Sequence, residues 1–231
     1  MQMTSLLCER QQRVKVMDTV SDWVTLRGGM PQGSWLGPLI FIILIDDLRP
    51  RLLTHKFVDD TTLSEIMVKG TTSKMQEAVD DLITWSQLNR LNINSKKTKE
   101  MILGSLDKDS VVPLTVSSSV VERVSKYKIL GIMVNSDLKW DDHVTAITSK
   151  AGKRLWFMKQ LRRAGVCQND LVYYYQAVVR PVLEYASPCW QASLTKEQTK
   201  QLEDVQRRAL QIISGNIPYD EARRPCNILS L

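Results

Sequence analysis

The chain has 231 residues, 43% hydrophobic and 24% charged, with 31 basic against 25 acidic side chains and a formal net charge of +6, enough apolar material for one large packed domain or two small ones. Cys8, Cys167, Cys189 and Cys226 form no C-x-x-C pair and have only His55 and His143 as imidazole partners, which argues against a structural zinc site. The longest apolar run, Trp35 to Ile45, falls short of the roughly 20 residues that span a bilayer, and MQMTSLLCERQQRVKV lacks a signal core, so a soluble intracellular protein is expected.

In chain order, RQQRVKVMDTVSDWVTLRGG predicts two short extended segments, Val14 to Met17 and Trp23 to Leu26, ended by Gly28-Gly29. In MPQGSWLGPLIFIILIDDL, Ser34 is placed to cap a helix that is apolar on every side, which predicts burial inside a core. HKFVDDTTLSEI predicts strand, turn, strand. From Ser73 the apolar positions Met75, Val79, Leu82 and Trp85 recur every three or four residues. They predict an amphipathic helix that opens with Ser73-x-x-Gln76 as a capping box and ends near Asn92.

INSKKTKEMIL leads into a further strand, VPLTVSSSVVERV predicts a weak hairpin, and YKILGIMV a single buried strand. Beyond Asp137 the pattern becomes helical. Val144, Ile147, Ala151, Leu155, Met158 and Leu161 mark one helix; Leu171, Tyr174, Tyr175, Val178 and Leu183 a second; Leu202, Val205, Ala209 and Ile212 a third. The expected division is therefore a mixed α/β part, 1–137, and an all-helical part, 138–231. The first carries 17 basic and 16 acidic side chains, the second 14 and 9, so the C-terminal part is the better candidate for a phosphate-facing surface. A solvated helical surface is the plainer reading of the same charges.

Four adjacent aspartate pairs occur: Asp46-Asp47, Asp59-Asp60, Asp80-Asp81 and Asp141-Asp142. The last precedes a helix, where carboxylates favour the dipole, and the third lies on one. Asp46-Asp47 closes the apolar helix. Asp59-Asp60 falls at a turn between two β segments, where both side chains are held at one exposed edge. That placement suits a hard cation such as Mg²⁺, and it equally suits a solvated turn.

The residues around this pair carry a resemblance. GGMPQGSWLGPLIFIILIDDL followed by KFVDD resembles the reverse transcriptases of non-LTR retrotransposons, the LINE and jockey-like group, through Gly29, Pro31, Gln32, Gly33, Ser34, Leu36, Gly37, Pro38, Phe41, Asp47 and Leu48, and through Phe57, Asp59 and Asp60. Asn94, Lys97 and Thr98 match an N-x-x-K-T segment. Leu130, Gly131, Leu138, Trp140 and His143 match an L-G…L-x-W-x-x-H segment. RPVLEYASPCW and LEDVQRRALQII are similar to helical segments further downstream.

The resemblance implies an α+β fold: part of a polymerase palm, an antiparallel sheet with packed helices, over 1–137, then a helical thumb over 138–231. It implies a fragment of an RNA-directed DNA polymerase that extends a DNA primer on an RNA template, with deoxynucleoside triphosphates as substrates and two Mg²⁺ ions as cofactors. Asp59 and Asp60 would be metal ligands, and Lys97 would assist departure of pyrophosphate, although a plain exposed lysine also fits SKKTK. Gly29, Pro31, Gln32, Gly33 and Ser34 would contact template and nucleotide. Phe41 suits core packing, as do the tyrosines at 173 to 175, which alternatively stack on bases. No membrane partner is implied, and a nuclear location follows from the family alone. The family's earlier strand, which bears another essential aspartate, is not recognised ahead of Gly29. The chain is therefore expected to be a fragment that is inactive alone. The alternative is a non-catalytic nucleic-acid-binding relic or host-retained module.

Overall fold

The computed structural model describes residues 11–26, 36–68, 70–104, 106, 110–215 and 217–223. In chain order its elements begin with the strands β1 (Gln11–Gln12), β2 (Lys15–Val16), β3 (Thr19–Val20) and β4 (Val24–Thr25), helix α1 (Leu36–Ile45), strands β5 (Leu53–Phe57) and β6 (Asp60–Ser64), and helix α2 (Met75–Leu88). Six short strands follow: β7 (Lys99–Glu100), β8 (Thr115–Val116), β9 (Ser119–Val120), β10 (Glu122–Arg123), β11 (Lys126–Ile129) and β12 (Ile132–Asn135). The rest is helical: α3 (Asp141–Arg163), α4 (Gln168–Tyr174), a π-helical turn (Tyr175–Val179), α5 (Arg180–Glu184), α6 (Lys196–Ser214) and α7 (Tyr219–Arg223). This is an α+β protein. None of the helices among the described residues is long and apolar enough to cross a membrane.

The chain divides into two compact units, Met1–Thr98 with Pro113–Val121, and Lys99–Val112 with Glu122–Leu231.

In the first unit β1 pairs antiparallel with β4, and β2 with β3, in place of two simple extended segments. β5 and β6 form the expected hairpin in the register Phe57↔Asp60, Lys56↔Thr61 and His55↔Thr62. A small cluster of Val79, Val116 and Val121, with Leu63, Ile83 and Ile93 packed against it, ties β6 and α2 to the β8–β9 hairpin. The β8–β9 turn is built by Ser117 and Ser118 at φ 48° and 67°, the left-handed values that a two-residue hairpin turn requires.

Three expectations in this unit are corrected. Helix α1 is not enclosed by the described residues: Leu39, Ile42 and Ile43 are 54%, 55% and 66% exposed, and its buried large apolar side chain is Ile45 at the C-terminal end, with Leu48 buried just beyond. The Ser34 cap falls outside the described residues. The Ser73–Gln76 capping box does not form, because Gln76 turns to β8, accepting from the Thr115 N–H at 2.9 Å and donating to its carbonyl at 3.1 Å. Glu65 takes over the cap, accepting from the Lys74 N–H at 2.9 Å and the Ser73 hydroxyl at 2.7 Å. Finally, α2 stops at Leu88. Arg90 adopts φ 56°, the Leu91 N–H donates to the Ser86 carbonyl at 2.8 Å and the Arg90 N–H to that of Gln87 at 3.1 Å. This is a Schellman ending with an arginine where glycine is usual.

In the second unit YKILGIMV is not one buried strand. It is the β11–β12 hairpin, turning at Leu130 and Gly131, φ 45° and 93°. β7 and β10 pair in parallel, reinforced by Lys99–Glu122 and Arg123–Glu100 ion pairs at 2.5 and 2.7 Å. The helical core joins Val144, Ile147, Ala151, Leu155 and Met158 of α3 to Leu202, Val205, Ala209, Leu210 and Ile213 of α6, with Leu171, Tyr175, Val179, Leu183 and Trp190 between. The three-and-four spacing places these residues on one face of each helix. Thr195 and Gln198 form a reciprocal capping box at the start of α6, at 3.2 and 2.9 Å. The π-turn lies directly ahead of Pro181. Lacking an N–H, proline leaves a carbonyl one turn upstream without its usual α-helical donor, and the register shifts there.

Candidate active site

The β5–β6 hairpin presents Asp59 in its turn and Asp60 at the first position of β6, both exposed. The turn is tight: Phe57 pairs with Asp60, and Val58 takes φ 53°. A β-branched residue in the left-handed region is a genuine conformational outlier. Strain of this kind persists only where surrounding structure imposes it.

Here the two-residue turn between the paired Phe57 and Asp60 calls for it, and Lys56 stands just before that turn. Its ammonium donates to the carbonyls of Ile45 at 2.6 Å, Leu48 at 3.0 Å and Asp46 at 3.4 Å. These carbonyls lie at the C-terminal end of α1, where orphan acceptors and the helix dipole both favour a cation. Lys56 therefore clamps the hairpin to α1 immediately before the Phe57–Asp60 turn. Nothing in the sequence pattern marks this lysine, since the contact spans eight to eleven residues and depends on tertiary placement.

The four aspartate pairs now separate. Asp46 faces Arg49 at 4.0 Å, and Asp47 accepts from the Trp85 indole N–H at 2.9 Å. Asp80 accepts from the Gln76 amide at 2.9 Å, and Asp81 pairs with Arg51 at 3.2 Å. Asp141 accepts from Gln198 at 2.8 Å, and Asp142 faces Lys126 at 3.4 Å. Of these eight aspartates, only Asp59 and Asp60 have no carboxylate hydrogen bond or ion pair with a described residue. Two adjacent hard oxygen donors without a compensating described cation fit a divalent metal ion. No group of three or more His, Cys, Asp or Glu side chains assembles among the described residues.

Lys97 stands on a turn built by Asn94. The Asn94 carbonyl accepts from the Thr98 N–H and hydroxyl, each at 3.0 Å, and Asn94 Oδ1 accepts from the Lys97 N–H at 3.1 Å. The N-x-x-K-T spacing thus has a local physical cause, an Asx-type turn that orients the lysine. Ile93, just before this turn, and Leu63 of β6 pack on the same small cluster. Gly29, Pro31, Gln32, Gly33 and Ser34 lie outside the described residues.

The model of the family described as reverse transcriptase (RNA-dependent DNA polymerase) matches residues 3–134. The chain belongs to the reverse transcriptase family. Its curated relatives include the probable RNA-directed DNA polymerase from transposon BS of Drosophila melanogaster, 25% identical over 93% of this chain and 25% of that protein. The RNA-directed DNA polymerase from mobile element jockey of the same fly is 23% identical over 95% of this chain and 25% of that protein. That from jockey of Drosophila funebris is 25% identical over 86% and 23%. The resemblance to LINE-like reverse transcriptases is therefore met, and the chain spans about a quarter of the length of these relatives. No solved structure matches the reverse transcriptase chain significantly.

Proposed function

We propose that this chain is the part of an RNA-directed DNA polymerase that carries the Asp-Asp hairpin of the palm, 1–137, and a helical thumb, 138–231. The observation that supports this most is the contrast among the aspartate pairs. Six aspartates have described partners, while Asp59 and Asp60, inside the stretch matched by the family, have none.

In this reading Asp59 and Asp60 hold Mg²⁺, with Asp59 the principal ligand. The bound ions of such a polymerase stabilise the attacking 3′ oxygen and the leaving pyrophosphate. The residues of this chain then have separate tasks. Asp59 and Asp60 supply negative charge at a fixed point on the hairpin, and Lys56 fixes that point against α1. The Lys97 ammonium stabilises negative charge on, or gives a proton to, the departing pyrophosphate. Gly29, Pro31, Gln32, Gly33 and Ser34 contact template and nucleotide. The partners are an RNA template, a DNA primer and deoxynucleoside triphosphates, and a nuclear location follows the family's habit of copying RNA at chromosomal sites.

Primer extension tests this. The 231-residue chain and the longest in-frame product of its transcript are assayed with Mg²⁺, an RNA template and a labelled DNA primer. The longer product should extend the primer, and Asp59→Asn should reduce the rate about a hundredfold or more, the scale for removing a group that acts on transition-state charge. The short chain should not extend, because two carboxylates are only part of a two-ion ligand set. Full activity of Asp59→Asn in the longer product would refute the assignment.

A further inference from the structure

Helix α3 carries six basic residues, Lys150, Lys153, Arg154, Lys159, Arg162 and Arg163, and no acidic residue occurs from His143 to Asn169. Two of the six are used internally, Arg154 donating to the Val178 carbonyl and Arg162 to those of Ile212 and Ile213. Lys153, Lys159 and Arg163 are exposed and form no ion pair with a described residue. Between them stands Trp156, 64% exposed, on the face turned away from the buried Val144–Met158 stripe.

The spacing makes this a single stripe. Lys153 lies one turn before Trp156, Lys159 one turn after, and Arg163 two turns after. Gly152, four residues ahead, adds no side chain to this face, and the space where its Cβ would stand is open. On the neighbouring α4, Tyr173 is 73% exposed, in contrast to Tyr175, which is buried and donates to Gln206 at 2.6 Å.

A solvated lysine face needs no large aromatic ring at its centre, and an indole exposed to this degree leaves apolar surface in water. Cations alone suffice for the phosphates of a duplex, whose base faces are hidden by stacking. An exposed indole flanked by cations matches instead a strand with unpaired bases, where each base offers a π face and each phosphate a charge. We propose that the outward face of α3 binds single-stranded nucleic acid, with Trp156 stacking on an unpaired base and Lys153, Lys159 and Arg163 neutralising adjacent phosphates. The inference rests on the polymerase reading only in taking a nucleic acid as partner. It needs neither the Asp59–Asp60 pair nor a metal ion.

The test uses the 231-residue chain in EDTA without nucleotides, so that it succeeds or fails independently of the polymerase chemistry. A labelled 20-nucleotide RNA, the matching DNA strand and a blunt duplex of the same length are titrated by fluorescence anisotropy at several salt concentrations. The single strands should bind more tightly than the duplex and quench tryptophan fluorescence. Trp156→Ala should weaken single-strand binding about tenfold, while Trp156→Phe, which keeps a ring, should stay within about threefold. Lys153→Gln with Lys159→Gln should flatten the salt slope by about 1.4, the value for two released counterions on a single strand. Three results would overturn the proposal: unchanged single-strand binding by Trp156→Ala, equal or tighter binding of the blunt duplex, or no binding by a chain that still melts cooperatively.

Discussion

The Tyr185 ring occupies the space that a side chain on Gly131 would need. A Cβ there would lie 2.9 Å from Tyr185 Cε1, and the Tyr185 hydroxyl donates to the neighbouring Leu130 carbonyl at 2.9 Å. The turn of the β11–β12 hairpin is thus clasped by a tyrosine 54 residues downstream in sequence, which gives the L-G pair and the Tyr185-containing segment a shared cause. Gly131 also takes φ 93°, unfavourable for any L side chain. Gly131→Ala should therefore destabilise the chain by about 2 kcal/mol, and by only about 1 kcal/mol in a Tyr185→Ala background, where the clash is gone and the backbone strain remains. Urea unfolding of the four proteins of this cycle measures both.

Val58 gives a prediction of opposite sign. Its φ of 53° is strained for a β-branched residue and free of strain for glycine. Val58→Gly should leave the hairpin intact and stabilise it by about 1 kcal/mol, seen as slower amide exchange at residues 53–64. Faster exchange would mean that the valine side chain, about half exposed, contributes more by packing than its backbone loses.

Lys56→Met keeps the aliphatic stem and removes all three hydrogen bonds to the carbonyls at the end of α1. The expected cost is about 1–2 kcal/mol, with amide exchange accelerated in both the hairpin and the last turn of α1. Lys56→Arg should restore much of that protection, because a guanidinium also donates to several acceptors. Equal protection in the methionine variant would remove Lys56 from the description of the site.

His143 makes stability depend on pH. It is buried, its Nδ1 accepts from the Met133 N–H at 3.3 Å, and its Nε2 has no described hydrogen-bond partner. Its ring meets those of Trp140 and Trp190 edge-on, at 6.0 and 5.1 Å. Burial lowers its pKa below the usual 6.5. The unfolded chain then binds the proton more readily than the folded one. The contribution of this group to stability is complete above pH 6.5 and diminishes as pH falls through that value towards the folded pKa. The melting temperature should drop between pH 7.5 and 5.5, and His143→Gln should show a smaller drop over the same interval.

The hydrogen-bonded chain of the buried Tyr175 and Gln206 with the partly buried Tyr219 is a further test. Tyr175 donates to Gln206 Oε1 at 2.6 Å, the Gln206 amide donates to the Tyr219 oxygen at 2.8 Å, and the Tyr219 hydroxyl donates to Glu203. Gln206→Leu leaves the buried Tyr175 hydroxyl without its acceptor, and should cost about 2 kcal/mol. Tyr175→Phe in the same background should recover part of that loss, and urea unfolding of the two variants checks it.

What could be read directly from the chain is what short-range pattern encodes. Apolar residues every three or four positions define α2, α3 and α6 because a helix presents those positions on one face. The strand–turn–strand around Asp59 is local, and the G-x-P-Q-G-S and F-x-D-D motifs identify the family without any coordinates. The tertiary structure decided the rest, because the causes are distant in sequence. Gln76 left its capping box for Thr115 on another element, Arg90 ended α2 without a glycine signal, and Gly131 broke an apolar run into a hairpin under the ring of Tyr185. The four aspartate pairs look alike as dipeptides, and partners 3 to 57 residues away separate Asp59-Asp60 from the other three. A carboxylate's availability depends on which donors reach it, and that is a property of packing.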